Sequence, residues 1–294
     1  MTKRTFINIV KLVFKLALSA LLIYLVFQKI AFRKVELIFL KSNLFFIFAA
    51  LLFYALSQLI SSRRLLGFLR NTGIQLTFGF NFRLYLLGMF YNTFLPGGIG
   101  GDGYKIYLLR KKYQQPVKKI FSAIFFDRLS GLWAICTLVS LLAFLLPDAG
   151  VWNWLPAAIC TTGTIIYYII VRFFFSAYSA YWPTAHGLAL LVQSLQLLAI
   201  SCILLSQNFT GSFFPYLFVF LLSSIATVVP VSIGGLGIRE FVMLKSTAFF
   251  LIDGTLAVYT TLTFYLISLI TSLPGLWFVY HSKEFDAVKI PAGE

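Results

Sequence analysis

Three of the nine acidic residues in this 294-residue chain stand where an acid is costly. Asp102, Asp127 and Glu240 lie within or beside long apolar runs, each close in sequence to a base: Lys105, Arg128 and Arg239. A lone charge at the centre of a membrane helix costs about 2.5–3.5 kcal/mol on insertion scales, so ionisable groups there face partners or a hydrated cavity. Asp102 and Lys105 are three apart and share one face of a helix that starts after the preceding glycines. Asp127 and Arg128 are neighbours and point apart, as do Arg239 and Glu240, so each needs its own partner. Cross-pairing among these three places is the expected solution. Two readings are open. The charges lock segments together as ion pairs, or the bases build an anion site. Carboxylates and bases also have acid–base capacity. No nucleophile constellation, His-rich cluster or metal-ligand spacing accompanies them, so no catalytic residue, metal or cofactor is expected. Cys136, Cys160, Cys202, His186 and His281 read as structural.

The glycines around these charges favour the anion reading. Pro96-x-x-Ile99-Gly100-Gly101-x-Gly103-x-Lys105 returns, 134 residues later and with unchanged spacing, as Pro230-x-x-Ile233-Gly234-Gly235-x-Gly237-x-Arg239. Successive backbone N–H groups at Gly-rich turns and helix N-termini attract phosphate. The candidate binding residues are therefore Pro96, Gly97, Gly98, Gly100, Gly101, Asp102 and Lys105 from the first copy. Asp127 and Arg128 come from the segment between, and Pro230, Ser232, Gly234, Gly235, Gly237, Arg239 and Glu240 from the second. A nucleotide P-loop is excluded, because no Gly-Lys-Ser/Thr follows. The glycines also serve as packing hinges on an alternative reading.

Six apolar runs position these motifs. They are read as full spans over 6–27, 44–60, 120–146, 155–173, 187–205 and 255–280, each near the roughly 20 residues that cross a bilayer. Segment 28–43 carries Lys29, Arg33, Lys34 and Lys41 between apolar residues and reads as an interfacial amphipathic helix. Segment 61–83, with Arg63, Arg64, Arg70 and Arg83, reads as a connection. Each Gly-rich motif sits at the tip of a helical hairpin that enters and leaves by one face, the alternative being a single broken span. Non-helical backbone at that depth is tolerated where it is buried in protein or lines a wet cavity.

The fold class is thus an all-α polytopic membrane protein: about six spans plus two Gly/Pro-broken re-entrant hairpins in one transmembrane domain. It divides into a first repeat, 1–146, a second of opposite orientation, 147–282, and a tail, 283–294. Paired broken segments in an inverted repeat mark a central site. Sixty per cent of residues are hydrophobic and 11% charged. The charge of +15 clusters beside apolar runs, so topology and anionic lipid headgroups account for it better than nucleic acid. An inner (plasma) membrane location is expected, and the placement of Lys and Arg puts both termini on the cytoplasmic side.

At Leu95-Pro-Gly-Gly-Ile-Gly-Gly-Asp102, Phe126-Asp-Arg-Leu-Ser-Gly131 and Pro230-Val-Ser-Ile-Gly-Gly-Leu-Gly-Ile-Arg-Glu240 the chain resembles the lysylphosphatidylglycerol synthase transmembrane-region family, also described as flippase-like integral membrane proteins. In two-part members this region is fused to a soluble aminoacyl-transferase domain, which no stretch here matches. The resemblance implies movement of a phosphate-bearing lipid (anionic, aminoacylated or polyprenyl-phosphate) rather than aminoacyl transfer. The expected partners are such a lipid and, further off, lipid-synthesis enzymes; a homo-oligomer is left open. The alternative function is a membrane enzyme or accessory protein in lipid-linked phosphate or sugar metabolism.

Overall fold

The computed structural model describes residues 24, 32–94, 100–144, 154–228, 235–250, 252–281 and 285. The expected first span, 6–27, apart from Tyr24, and the loop 147–154, apart from Trp154, lie outside the described residues. Twelve helices are described: α1 (Phe32–Leu40), α2 (Leu44–Arg70), α3 (Phe78–Phe94), α4 (Gly100–Tyr113), α5 (Val117–Ala143), α6 (Leu155–Phe174), α7 (Ser176–Ser179), α8 (Trp182–Leu205), α9 (Phe214–Ala226), α10 (Ile238–Phe250), α11 (Gly254–Ser272) and α12 (Pro274–Tyr280). No strand occurs among the described residues. Five segments are long and apolar enough to cross a membrane: α2, α5, α6, α8, and α11 with α12. They match five of the six expected spans, and the protein is a multi-pass all-α membrane protein.

The central pair is α2 with α8, packed antiparallel. At one end the Asn43 N–H donates to the Ser206 carbonyl at 2.9 Å, and at the other the Tyr181 hydroxyl donates to the Arg64 carbonyl at 3.3 Å. Ala50, Ala185, Ala189 and Ala199 are fully buried, as small residues are where membrane helices approach closely. At the Asn43 end, Gln207 donates to the Ser42 hydroxyl at 2.7 Å, and Tyr259 from α11 shares hydrogen bonds with Ser42 and Ser206. The apolar core forms two main clusters, one around α8, α9, α11 and the first half of α2, the other around α3, α4, α5 and its second half. Helix α6 is peripheral: Ile159, Ile165, Ile166, Phe173 and Phe174 are exposed along it, as expected of a face turned to lipid.

The helices on either side of each Gly-rich motif pair as the arms of a hairpin. Arms α3 and α4 pair antiparallel: Gly101 N–H donates to Asn92 Oδ1 at 2.8 Å, the Tyr91 and Tyr104 rings lie 4.8 Å apart, and Lys112 Nζ sits 3.9 Å over the Phe80 ring. Arms α9 and α10 do the same, with Arg239 Nη1 donating to Ser224 Oγ at 2.8 Å and the Phe218 and Phe250 rings 5.5 Å apart. A single broken span would not bring these residues together. At 1.5 Å per residue the longest arm, α3, reaches about 26 Å, short of the roughly 30 Å hydrocarbon core.

Adding the 134-residue motif offset to the bounds of α2 through α5 gives 178–204, 212–228, 234–247 and 251–277. The helices found there are α8 (182–205), α9 (214–226), α10 (238–250) and α11 (254–272). The offset visible in the glycine motif therefore extends to the helices around it.

The boundaries shift by a few residues at several ends, α3 starting at Phe78 and α8 at Trp182, and the end of the second span departs furthest from expectation. The second span does not end at Ile60: α2 continues to Arg70. Ser61, Ser62 and Arg64 belong to its buried face, continuing Ser57 and Gln58. Asn81 donates to the Ser62 carbonyl at 2.7 Å and to its hydroxyl at 2.9 Å. The polar run ends the hydropathy signal because that face turns to polar neighbours, while the helix goes on.

Candidate functional site

The two hairpins, α2, α5 and α11 enclose a cavity of about 360 Å³. Six charged side chains line its wall: Arg64 from α2, Lys105 and Asp102 from α4, Asp127 and Arg128 from α5, and Arg239 from α10. Among the described residues these are four cations against two carboxylates, an excess of two positive charges. Tyr54, Gln58, Tyr85, Asn92, Thr227 and Ser268 supply further polar groups to the same wall.

Each charge has a definite setting. Asp102 lies in the first turn of α4, where the helix dipole favours an anion. It accepts from Lys105 Nζ at 3.3 Å, as the three-residue spacing predicts, and from Arg128 Nε of α5. The Lys105 ammonium also sits 4.8 Å over the Tyr85 ring. Asp127 accepts from Arg64 Nε at 2.8 Å, with both side chains nearly buried. Asp127 and Arg128 thus point apart, each to its own partner. Arg64 Nη1 has no hydrogen-bond partner among the described residues. Half of the Arg128 side chain is exposed, so it keeps open space while bound to Asp102.

Arg239 is held differently. It donates to Ser224, and its guanidinium lies 5.3 Å and 5.4 Å from the centroids of the Phe220 and Phe264 rings. Among the described residues it makes no ion pair. Glu240 does not line the cavity. It is 1% exposed and accepts from the Gly237 N–H at 2.7 Å through Oε2, while Oε1 has no partner among the described residues. Glu240 is the third residue of α10 and reaches back to the N–H of the residue before the helix, the carboxylate half of a capping box, instead of taking the expected ion-paired role.

The backbone is also partly committed. The Gly101 N–H is taken by Asn92 and the Gly237 N–H by Glu240, so neither is free for a phosphate, contrary to expectation. Gly101 instead permits a close crossing, since a Cβ there would collide with the Gly88 carbonyl. Gly235 lines the cavity with φ +84°, a conformation that only glycine adopts readily. Gly100 opens α4. Pro96, Gly97, Gly98, Pro230, Ser232 and Gly234 lie outside the described residues.

The structure therefore brings together Asp102, Lys105, Asp127, Arg128, Gly235 and Arg239, and leaves Glu240 aside. Sequence reasoning missed Arg64. The signal was there: Tyr54, Ser57, Ser61 and Arg64 recur at three- and four-residue spacing in an apolar run, which is one helical face. His186 is structural as expected, stacked on Trp182 with centroids 4.0 Å apart, its Nδ1 2.7 Å from the Trp182 carbonyl. Among the described residues, no group of His, Cys, Asp and Glu side chains is arranged to hold a metal.

A second cavity, of about 410 Å³, adjoins the first and shares Arg128, Thr227 and Arg239 with it. Its other walls are mainly apolar and include Phe125, Leu129, Leu132, Ile135 and Val228. Phe125 and Val228 are half exposed. The two arginines thus stand where a polar space meets an apolar one that opens to the outside.

No curated protein matches the chain. The family described as Lysylphosphatidylglycerol synthase TM region matches residues 12–185, more than half of the sequence. That stretch contains α2 through α5, with the first hairpin and every ion-paired charge of the central cavity, so the chain belongs to the lysylphosphatidylglycerol synthase transmembrane-region family.

Proposed function

We propose that this protein binds a phosphate-bearing lipid at the central cavity and moves its headgroup between leaflets. One observation carries the reading: four cationic side chains from four helices converge on one cavity, with two carboxylates beside them among the described residues. Such a surplus in a low-dielectric setting attracts an anion strongly. The adjoining apolar cavity supports an amphiphile over a free anion, since a phosphate between Arg128 and Arg239 would have apolar wall on its other side. Family membership supports a lipid-related role, and the paired Gly-rich hairpins fit a transporter built from an inverted repeat. Arg64, Arg128, Lys105 and Arg239 attract the phosphate, while Asp102 and Asp127 hold three of those four in place. A lysyl, glycerol or polyprenyl substituent would each satisfy this chemistry.

The test is leaflet exchange in liposomes, with labelled phosphatidylglycerol, its lysyl derivative and polyprenyl phosphate run in parallel. Exchange of at least one lipid is expected. Arg239→Ala should slow it about tenfold or more, since a hydrogen bond to a charged group is worth about 1.5–3 kcal/mol. Exchange of none, with or without an ion gradient, would overturn transport. Chemical conversion of a lipid by the purified protein would move the assignment to an enzyme.

A further inference from the structure

A pocket of about 540 Å³ lies at one end of the bundle, where the end of α2, the start of α5 and the bend between α6 and α7 meet. Its walls are of two kinds. Phe174, Phe175 and Tyr178 form an apolar side, and Lys118, Lys119 and Asn71 form a polar one. No carboxylate lines it, and among the described residues neither lysine makes an ion pair. Both lysines are exposed.

Three features give this pocket its character. First, α5 begins here, and its N-cap residue Pro116 offers no side-chain hydrogen bond, so the positive end of a 27-residue helix faces the same mouth. Second, the chain leaves helical geometry at Phe175 (φ −135°, ψ 46°), which ends α6 and starts α7. Phe173 and Phe174 are left more than three-quarters exposed at the end of a lipid-facing helix. Third, this is the basic end of the molecule: Arg70, Arg110, Lys111 and Arg172 close α2, α4 and α6 around it. An exposed apolar wall beside unpaired ammonium groups at the end of a span is the chemistry of the bilayer boundary, where anionic headgroups gather.

We propose that this pocket is a second anion site, separate from the transport cavity, which holds the phosphate ester of a boundary phospholipid. The phosphate lies between Lys118 and Lys119 at the start of α5, and the acyl chains follow the Phe173–Phe175 side into the bilayer. Free inorganic phosphate is also anionic but has no use for that apolar wall.

Site-resolved lysine acetylation of the wild-type protein, read by peptide mass spectrometry, tests this without altering the fold. In vesicles of phosphatidylglycerol with phosphatidylcholine, Lys118 and Lys119 should react about fivefold more slowly than in phosphatidylcholine alone, the effect of roughly one favourable headgroup contact per lysine. Lys111, at the same end but outside the pocket, should change little, and inorganic phosphate added to phosphatidylcholine vesicles should give no protection. The protection should persist in Arg239→Ala, which separates this site from the central cavity and from any failure of the transport reading. Equal rates in the two vesicle types, or equal slowing of Lys111, would overturn the site. Equal protection by inorganic phosphate would overturn its assignment to lipid. In Phe174→Ala, protection by phosphatidylglycerol should weaken, and unchanged protection there would remove the apolar wall from the proposal.

Discussion

The two hairpins carry the same glycine pattern at the same spacing and use it differently. In the first, Lys105 is bound to Asp102, Asp102 to Arg128, and the neighbouring Asp127 to Arg64. In the second, Arg239 stands at the position matching Lys105 but leans on Ser224 and two phenylalanine rings. The positions 134 residues after Asp102, Asp127 and Arg128 are Leu236, Thr261 and Leu262. One half has built a rigid ion-pair frame, and the other presents a cation without a carboxylate partner among the described residues. A buried ion pair is weak evidence for stability by itself, yet breaking one leaves an uncompensated charge. The ion-pair frame that joins the first hairpin, α2 and α5 should therefore be where substitutions cost stability, and the second hairpin where they cost binding.

The largest expected effect tests the frame. Arg64→Ala leaves Asp127 buried without its cation and should destabilise by about 3–5 kcal/mol, seen as a large fall in the thermal unfolding midpoint in detergent. Arg64→Met combined with Asp127→Leu removes both charges and should recover most of that loss. Arg239→Ala, by contrast, should leave the midpoint nearly unchanged while slowing lipid exchange. A small effect of Arg64→Ala, or a large one of Arg239→Ala on stability, would erase the distinction between the halves.

Much of this was readable before any coordinates. The spans follow from apolar length, the hairpins from glycine and proline inside apolar runs, and the site from acids and bases in places that exact a cost. The Asp102–Lys105 pair followed from helical spacing alone. Arg64 was legible as part of a helical face but was overlooked, because a polar helical face looks like a loop to any averaged hydropathy. Three things were not legible. The choice of Asp127's partner depends on how α2 crosses α5, which is a tertiary fact. Glu240 looked like a buried counter-ion because sequence shows its neighbour Arg239 but not that its carboxylate turns back to the Gly237 N–H. The glycine N–H groups were misjudged for the same reason, since short local bonds to Asn92 and Glu240 compete with any ligand.

The glycines themselves sharpen the contrast between the halves. Gly101 and Gly235 occupy equivalent positions in the two motifs. Gly101 is helical and lies against the Gly88 backbone, so Gly101→Ala forces the arms of the first hairpin apart. Overpacking of this kind costs about 1–3 kcal/mol. Gly235 has a Thr227 methyl 3.0 Å from where its Cβ would be, but its stronger constraint is φ +84°. Gly235→Ala should cost about 1–2 kcal/mol through backbone strain. The two losses are distinguished by size reduction at the neighbour: Thr227→Ser should not rescue Gly235→Ala, since strain rather than contact is the cause. Rescue would show that the second hairpin, like the first, needs its glycine for space.

The smallest effect, of opposite sign, falls on the next pair. Gly103 is inside α4 with nothing within 4 Å of a built Cβ, whereas Gly237 has φ +85° at the turn before α10. Gly103→Ala should be neutral or stabilising by up to about 1 kcal/mol, because alanine is the better helix former. Gly237→Ala should lose about 1–2 kcal/mol, and with it the turn that presents its N–H to Glu240. Paired unfolding midpoints would show this as a small rise against a fall. If Gly103→Ala fell as far as Gly237→Ala, the space beside Gly103 would have to be occupied in the working protein.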